Sequence, residues 1–261
     1  MDIRWGEAVP TLLGYPTFHM SDNEHTVDRL AGDWKIVQLQ RGHRHTTDDL
    51  LTAWVGLKVA PGAKRLLDLG SGVGSIGLLG LFHRPEATLT SVELQEVSIE
   101  CCRMTVAQNR VEDRVELRHE DLRDFDCDQR FDLITGNPPY VPVDRGARSP
   151  HPQRAAARLE LNGDVYDWAA TAARHLAPRG RFVLCHAAAD PRPERAIAEV
   201  GLELLGRLEV TFREGNDAMI AIRVAGHGEH CELGALQIRS ADGSWTEAWR
   251  EVRRELAIDP G

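Results

Sequence analysis

No run of about 18 consecutive apolar residues occurs in this chain, which excludes a conventional helical membrane span. The opening Met1-Asp2-Ile3-Arg4-Trp5 lacks the basic-then-apolar pattern of a secretory leader, so a cytoplasmic location and no membrane partner are expected. Cysteine is scarce. Cys101, Cys102, Cys127, Cys185 and Cys231 have neither the paired spacing of a zinc ribbon nor the density of a disulfide scaffold, and free thiols with no bound metal are expected. Internal repeats and low-complexity tracts are also missing. Positive charge is in deficit, with 31 Lys and Arg against 40 Asp and Glu and a net charge of -9, so the whole molecule exerts no long-range attraction on nucleic acid. Its basic residues cluster in two places instead, Arg41-Gly42-His43-Arg44-His45 and the quartet Arg145, Arg148, Arg154 and Arg158. Those clusters fit a local polyanion contact and an ordinary solvated face equally well.

A chain of 261 residues that is 42% hydrophobic can bury one substantial core and carry a small accessory element. Thr26 to Gln40 reads as a hairpin turning at Ala31-Gly32-Asp33, and Thr46 or Thr47 caps a helix that Pro61-Gly62 stops. Seven strands then follow: Arg65–Leu69, Thr88–Glu93, Val115–His119, Phe131–Gly136, Gly180–His186, Leu204–Phe212 and Met219–Val224. Helices are expected from Ser75 to His83, Gln95 to Asn109, Ala155 to Leu176 and Glu194 to Leu202. This alternation predicts an α/β fold, a mostly parallel sheet with helices on both faces. The last two strands, separated only by Arg213 to Ala218, make its terminal strand antiparallel. Three regions are expected: residues 1–60 as hairpin and ligand-covering helix, 61–225 as the core, and 226–261 as an appended strand-turn-helix segment with Ala241-Asp242-Gly243 at the turn.

Open α/β sheets bind ligands at the carboxyl ends of their strands, and four such ends carry polar signals here. The turn Asp68-Leu69-Gly70-Ser71-Gly72-Val73-Gly74 lets backbone approach a ligand where a Cβ would collide. A tight structural turn would look the same. Glu93 ends the second sheet strand, where its oxygens can accept from vicinal ribose hydroxyls, and Asp121, beside Leu122, follows the third, where it can accept from an adenine amino group. Either acid alone is more often a strand-end cap. Asn137-Pro138-Pro139-Tyr140 closes the fourth strand with an amide and an aromatic ring side by side.

These motifs together resemble the S-adenosylmethionine-dependent class I amino methyltransferases. More narrowly, the chain is similar from about Thr26 to Val224 to the bacterial transfer RNA adenine-N6 methyltransferase family that modifies the adenine next to the anticodon of valine transfer RNA. Gln38 to Asp48 is like that family's entry into its ligand-covering helix, and Ser149 to Glu160 like its segment after the tetrapeptide. The resemblance implies a class I, Rossmann-like seven-stranded sheet and S-adenosylmethionine as cofactor, held by Asp68, Gly70, Gly72, Glu93, Asp121, Leu122 and Asn137. It implies Asn137, Pro138 and Tyr140 as the catalytic set, with Tyr140 stacking on the base. Arg41, Arg44, Arg154 and Arg158 would then hold phosphates of transfer RNA, with His43 and His45 helping at mildly acidic pH.

The chain departs from the family in its acidic balance, in His43-Arg44-His45 and in Leu159, where histidine is common. The tetrapeptide points to a planar nitrogen without separating adenine from a protein glutamine amide or a small-molecule amine. A noncatalytic nucleotide-binding protein is the rival outside enzymes, and a monomer or weak homodimer is expected.

Overall fold

A computed structural model describes residues 25–144 and 151–258. The first 24 residues therefore lie outside the described residues, as do Arg145, Arg148, Ser149 and Pro150 of the second basic region. Strands β1 (His25–Ala31) and β2 (Trp34–Leu39) form the expected antiparallel hairpin, followed by α1 (Thr47–Val59). Helix α1 starts where Thr46 N–H donates to Asp49 at 3.1 Å, a side chain placed three residues on to satisfy a backbone donor that the helix leaves open.

The chain then runs through β3 (Arg65–Leu69), α2 (Ser75–Phe82), β4 (Thr88–Glu93), α3 (Glu96–Asn109), β5 (Val115–His119) and β6 (Phe131–Gly136). It continues as α4 (Pro152–Arg158), α5 (Val165–His175), β7 (Leu176–Ala187), α6 (Arg192–Glu199), β8 (Glu203–Thr211) and β9 (Ile220–Gly226), ending with β10 (Ala235–Gln237) and α7 (Glu247–Glu255). Among the described residues no helix is long and apolar enough to cross a membrane.

The sheet order is β10-β8-β9-β7-β6-β3-β4-β5. Seven of these strands are the expected set, with β9, the last of them in sequence, antiparallel to both β7 and β8. The eighth is an addition, since β10 pairs in parallel with β8 at residues 235–237. Chain order proceeds outward from β3 through β4 to β5, then returns to β6 on the other side of β3. At that reversal the connections diverge and leave a crevice at the carboxyl ends of β3 and β6.

Alternation along each strand builds two cores. Leu66 and Leu133 face the layer of α1, α2 and the hairpin, whereas Leu67, Leu69 and Ile134 face α5 and α6 with Phe182 and Leu184.

The single helix expected from Ala155 to Leu176 is two helices. Leu159 leaves the helical path to bridge Val141, and Glu160 N–H donates to the Val141 carbonyl at 3.0 Å. Gly163, at φ +134°, and the Asp164 cap, which accepts from Tyr166 N–H at 2.9 Å, restart the chain as α5. The break draws α4 over the loop after β6. Leu176 likewise begins β7 rather than ending a helix, because it pairs with Phe131.

Candidate active site

Glycine-dependent packing sets the floor of the crevice. Gly70 is left-handed at φ +64°, and a Cβ there would fall 2.6 Å from the Trp168 ring. Gly136, at the end of β6, would meet the same ring at 2.6 Å. Trp168 reaches in from α5 and donates its indole N–H to the Leu69 carbonyl at 2.9 Å, so one side chain supports the ends of both β3 and β6.

Above this floor opens a cavity of about 360 Å³, within the range of small-molecule sites. Its walls come from 70–73, 93–95, 120–122 and 137–141, closed by His43, His45, Thr46, Asp48 and Asp49 on one side and by Gln153 and Arg158 on another.

At the half built from β3, β4 and β5, Glu93 accepts from Gly72 N–H at 2.8 Å with one oxygen and from Gln95 N–H at 2.7 Å with the other. It thereby pins the glycine turn and still lines the cavity with unused lone pairs. Burial raises its pKa against the pull of those backbone donors. Among the described residues nothing lies within 4 Å of where a Gly72 Cβ would be, and the buried Ser71 hydroxyl has no hydrogen-bond partner.

Asp121 and Leu122 line the same half. Asp121 is gripped by Arg123 at 2.6 Å, and that guanidinium holds its carboxyl below the usual range. Asp68 is the exception among the expected ligand contacts. It is fully buried behind the turn, accepting from Gly77 N–H at 2.9 Å and from the Thr135 hydroxyl at 2.7 Å, and forms no part of the wall. Burial pushes its pKa up to about 7. Its role is to tie the start of α2 to β6, since it is fully buried and both of its oxygens point to donors inside the protein rather than to the cavity.

At the half built from β6, the Asn137 side chain is held at both ends. Its Nδ2 donates to Asp49 Oδ1 at 2.8 Å, and its Oδ1 lies 2.6 Å from the Tyr140 hydroxyl, which donates to it. That hydroxyl is also 3.0 Å from Asp48 Oδ2 and 2.9 Å from Cys185 Sγ. Burial, and then the charges around it, push the Tyr140 phenol well above its ordinary range. Asp48 is pushed up to about 6 by burial and by the charge of Asp49. Pro138, Pro139 and Tyr140 all line the cavity.

The expected basic rim is redistributed. Arg44 is turned away into the hairpin, 2.7 Å from both Asp28 and the Thr26 hydroxyl. A carboxylate already neutralises it, so it is not a free phosphate contact. Arg41 is exposed but outside the cavity wall. Arg154 and Arg158 are both exposed on α4, and Arg158 lines the cavity. Arg154 donates to the Gly42 carbonyl at 3.0 Å, and among the described residues neither forms an ion pair. Glu160, the obvious partner for Arg158, instead holds Arg192 at 2.8 Å.

His43 and His45 line the cavity, but burial lowers the pKa of both, helped at His43 by Arg154 and Arg158 and opposed by Asp49. Both rings therefore give up a proton more readily than a free imidazole, which weighs against the expected cationic help at mildly acidic pH.

Sequence reasoning gave no site role to Asp48, which it placed only in the helix entry, or to Asp49. It also missed Gln153, which is buried, accepts from His43 N–H at 3.0 Å and donates to the Ser98 hydroxyl at 2.9 Å. The one available signal was a buried-type role for two adjacent acids at a helix start facing a ligand crevice.

The Methyltransferase small domain family matches residues 50–200. A tRNA1(Val) (adenine(37)-N6)-methyltransferase from Phocaeicola vulgatus is 34% identical over 80% of this chain and 88% of that protein. A ribosomal protein uL3 glutamine methyltransferase from Bradyrhizobium diazoefficiens is 35% identical over 39% of this chain and 32% of that protein. In the first relatives matched, the chain spans 32%, 44% and 54% of their length. Among solved structures, a predicted O-methyltransferase from Agrobacterium tumefaciens aligns at a TM-score of 0.60 and 19% identity, covering 82% of this chain and 98% of that one, a likeness of fold.

Proposed function

The chain belongs to the methyltransferase small domain family, and we propose that it is an S-adenosylmethionine-dependent methyltransferase that methylates the exocyclic N6 of an adenine in transfer RNA. The observation that carries the reading is Asn137, an amide fixed at both ends at the margin of the cavity, its oxygen on the side of Tyr140. Similarity to tRNA1(Val) (adenine(37)-N6)-methyltransferases over most of the chain supports the choice of polymer.

The residues present fit the cofactor. Glu93 has acceptor lone pairs for ribose hydroxyls, Gly72 leaves open space and the Ser71 hydroxyl is unclaimed among the described residues, and Asp121 with Leu122 borders the same half of the cavity. Bound there, S-adenosylmethionine would supply a methyl group on a positively charged sulfur. The chain's own work is restraint. An aryl amine has its lone pair delocalised into the ring, so it reacts only when its hydrogens are held and the lone pair is turned out.

The second lone pair of Asn137 Oδ1 would accept one N–H of that amine and the Pro138 carbonyl the other. Pro138 and Pro139 fix φ along this loop, which keeps the two acceptors in register. Tyr140 lines the cavity, where its ring would stack on the base, and stacking on an aromatic contributes about 1 to 3 kcal/mol per base. Positive charge building on nitrogen is stabilised by the oxygen dipoles of Asn137 and Pro138 until the excess proton passes to water.

Glu93→Ala is expected to weaken binding of S-adenosylmethionine by about 1 to 3 kcal/mol, because Gly72 N–H and Gln95 N–H lose their acceptor along with the ribose contacts. Calorimetry reads this directly, and unchanged affinity would remove Glu93 from the donor site.

The polymer is tested by incubating the protein with labelled donor and separate pools of unmodified transfer RNA, ribosomal protein and metabolites. Label in N6-methyladenosine is expected. Label confined to glutamine would favour the second reading, amide methylation, which the uL3 glutamine methyltransferase relative supports over 39% of the chain. The RNA reading also predicts that Arg154→Glu with Arg158→Glu weakens transfer RNA binding and reduces the slope of log affinity against log salt by about 1.4 to 1.8, since each lost phosphate contact removes roughly 0.7 to 0.9. An unaltered slope in filter binding would take α4 out of the RNA contact.

A further inference from the structure

Asp49 makes more bonds than a helix cap needs. A residue at the third position of a helix completes a cap by accepting from one backbone donor, and Asp49 does so with Thr46 N–H at 3.1 Å. The same carboxylate also accepts from the Ser75 hydroxyl at 2.9 Å and, with its other oxygen, from Asn137 Nδ2 at 2.8 Å. It is buried, and it joins the start of α1 to the start of α2 and to the end of β6. An ionised carboxylate only accepts, and three donors converge on this one.

The polarity of the contact decides the orientation of Asn137. An asparagine amide is nearly symmetric in shape, so nothing steric prevents it from turning over and exchanging its oxygen for its NH2. With an acceptor-only group 2.8 Å away, the NH2 end must face Asp49. The oxygen then faces Tyr140, whose phenol burial keeps protonated, 2.6 Å off. One amide is thus clamped between an obligatory acceptor and a donor.

We propose that Asp49 is the positioning residue of methyl transfer, setting the Asn137 amide with its oxygen toward the acceptor nitrogen through the contact between Asp49 Oδ1 and Asn137 Nδ2. The role rests on the reading of Asn137 as the group that restrains the acceptor amine. Turned over, Asn137 would offer N–H to N–H and hold the amine away.

Asp49→Asn tests the polarity while keeping the shape. Its NH2 must face either Asn137, which then turns over, or Thr46 N–H and Ser75, which then lose an acceptor. The expected result is a kcat about 10²-fold lower, the scale of loss from a small misplacement of reacting groups, with the KM for the acceptor and the affinity for S-adenosylmethionine within about threefold of wild type. In single-turnover experiments the double variant Asp49→Asn, Asn137→Ala is expected to be no slower than Asn137→Ala alone, because Asp49 acts through that one amide. Additive losses, or a kcat near that of wild type, would overturn the proposal.

Asp49→Glu covers the case in which the amide variant unfolds. It keeps a carboxylate for Thr46 N–H but changes its reach to Asn137, and it is expected to melt near the wild type while losing kcat. A Glu variant with full kcat would equally overturn the role. A readout independent of substrate is solvent exchange of the Asn137 side-chain NH2 by nitrogen-15 NMR in the donor-bound protein, expected to be at least about tenfold faster in Asp49→Glu than in wild type. If wild type methylates no transfer RNA but shows this protection, the RNA reading fails and the positioning role stands. Equal exchange in both proteins removes the role whatever the substrate is.

Discussion

Asn137→Ala is expected to bind S-adenosylmethionine as wild type does and to transfer its methyl group about 10²- to 10³-fold more slowly, the range found when one preorganised polar group is removed from a reacting centre. The separation follows from where the side chain sits. The half of the cavity proposed to hold the donor is built from Glu93, Gly72, Ser71 and Asp121, whereas Asn137 bonds to Asp49 and Tyr140 at the other end. Truncation leaves Asp49 without one donor and Tyr140 without one acceptor, and Tyr140 has Asp48 at 3.0 Å as a replacement. The fold should therefore persist. Single-turnover transfer at saturating donor, with calorimetry for donor affinity, measures both quantities. Wild-type turnover would reject Asn137 as the orienting amide, and lost donor affinity would move it into the cofactor site.

The second large effect is on stability. Trp168→Ala is expected to cost about 3 to 5 kcal/mol, the usual range for emptying a large aromatic from a core, and to weaken donor binding as well. Trp168 is only 6% exposed, packs against Gly70 and Gly136 at once, and donates to the Leu69 carbonyl. Without the ring, the left-handed Gly70 turn loses the wall that gives it one conformation. Trp168→Phe separates the two contributions: it keeps most of the packing and removes the N–H, so a loss of about 1 kcal/mol is expected. Urea unfolding of the three proteins gives the ranking. If the alanine variant is no less stable than the phenylalanine variant, packing against the two glycines is not what holds the floor together.

Much of the scaffold was legible because its signals are local. Arg65–Leu69, Thr88–Glu93, Val115–His119 and Phe131–Gly136 are short apolar runs bounded by turn residues, and each strand occupies the span read from the chain. The break between α4 and α5 was not legible. Ala155 to Arg158 and Val165 to His175 are both good helix sequence, and what interrupts them is the pairing of Leu159 and Glu160 with Val141, a contact that exists only once the loop after β6 is in place. The fate of Arg44 was hidden for a similar reason, since its partner Asp28 becomes its neighbour only through the register of the hairpin.

The sequence by itself determined the strand ends and the chemistry set on them: the glycine turn, Glu93, Asp121 and Asn137-Pro138-Pro139-Tyr140. Spacing along a strand is a property of the backbone, and a polar residue after an apolar run is carried to the sheet's carboxyl edge wherever the sheet forms. Only the tertiary structure decided which of these groups face the cavity and which are consumed by the protein. Asp68 and Glu93 both stand at strand ends, yet Thr135 and Gly77 enclose the first, while the second keeps a face on the cavity. Asp49 and Asn137 are 88 residues apart and meet at 2.8 Å. A buried carboxylate's role is set by the donors that surround it, and those donors come from distant segments that only folding brings together.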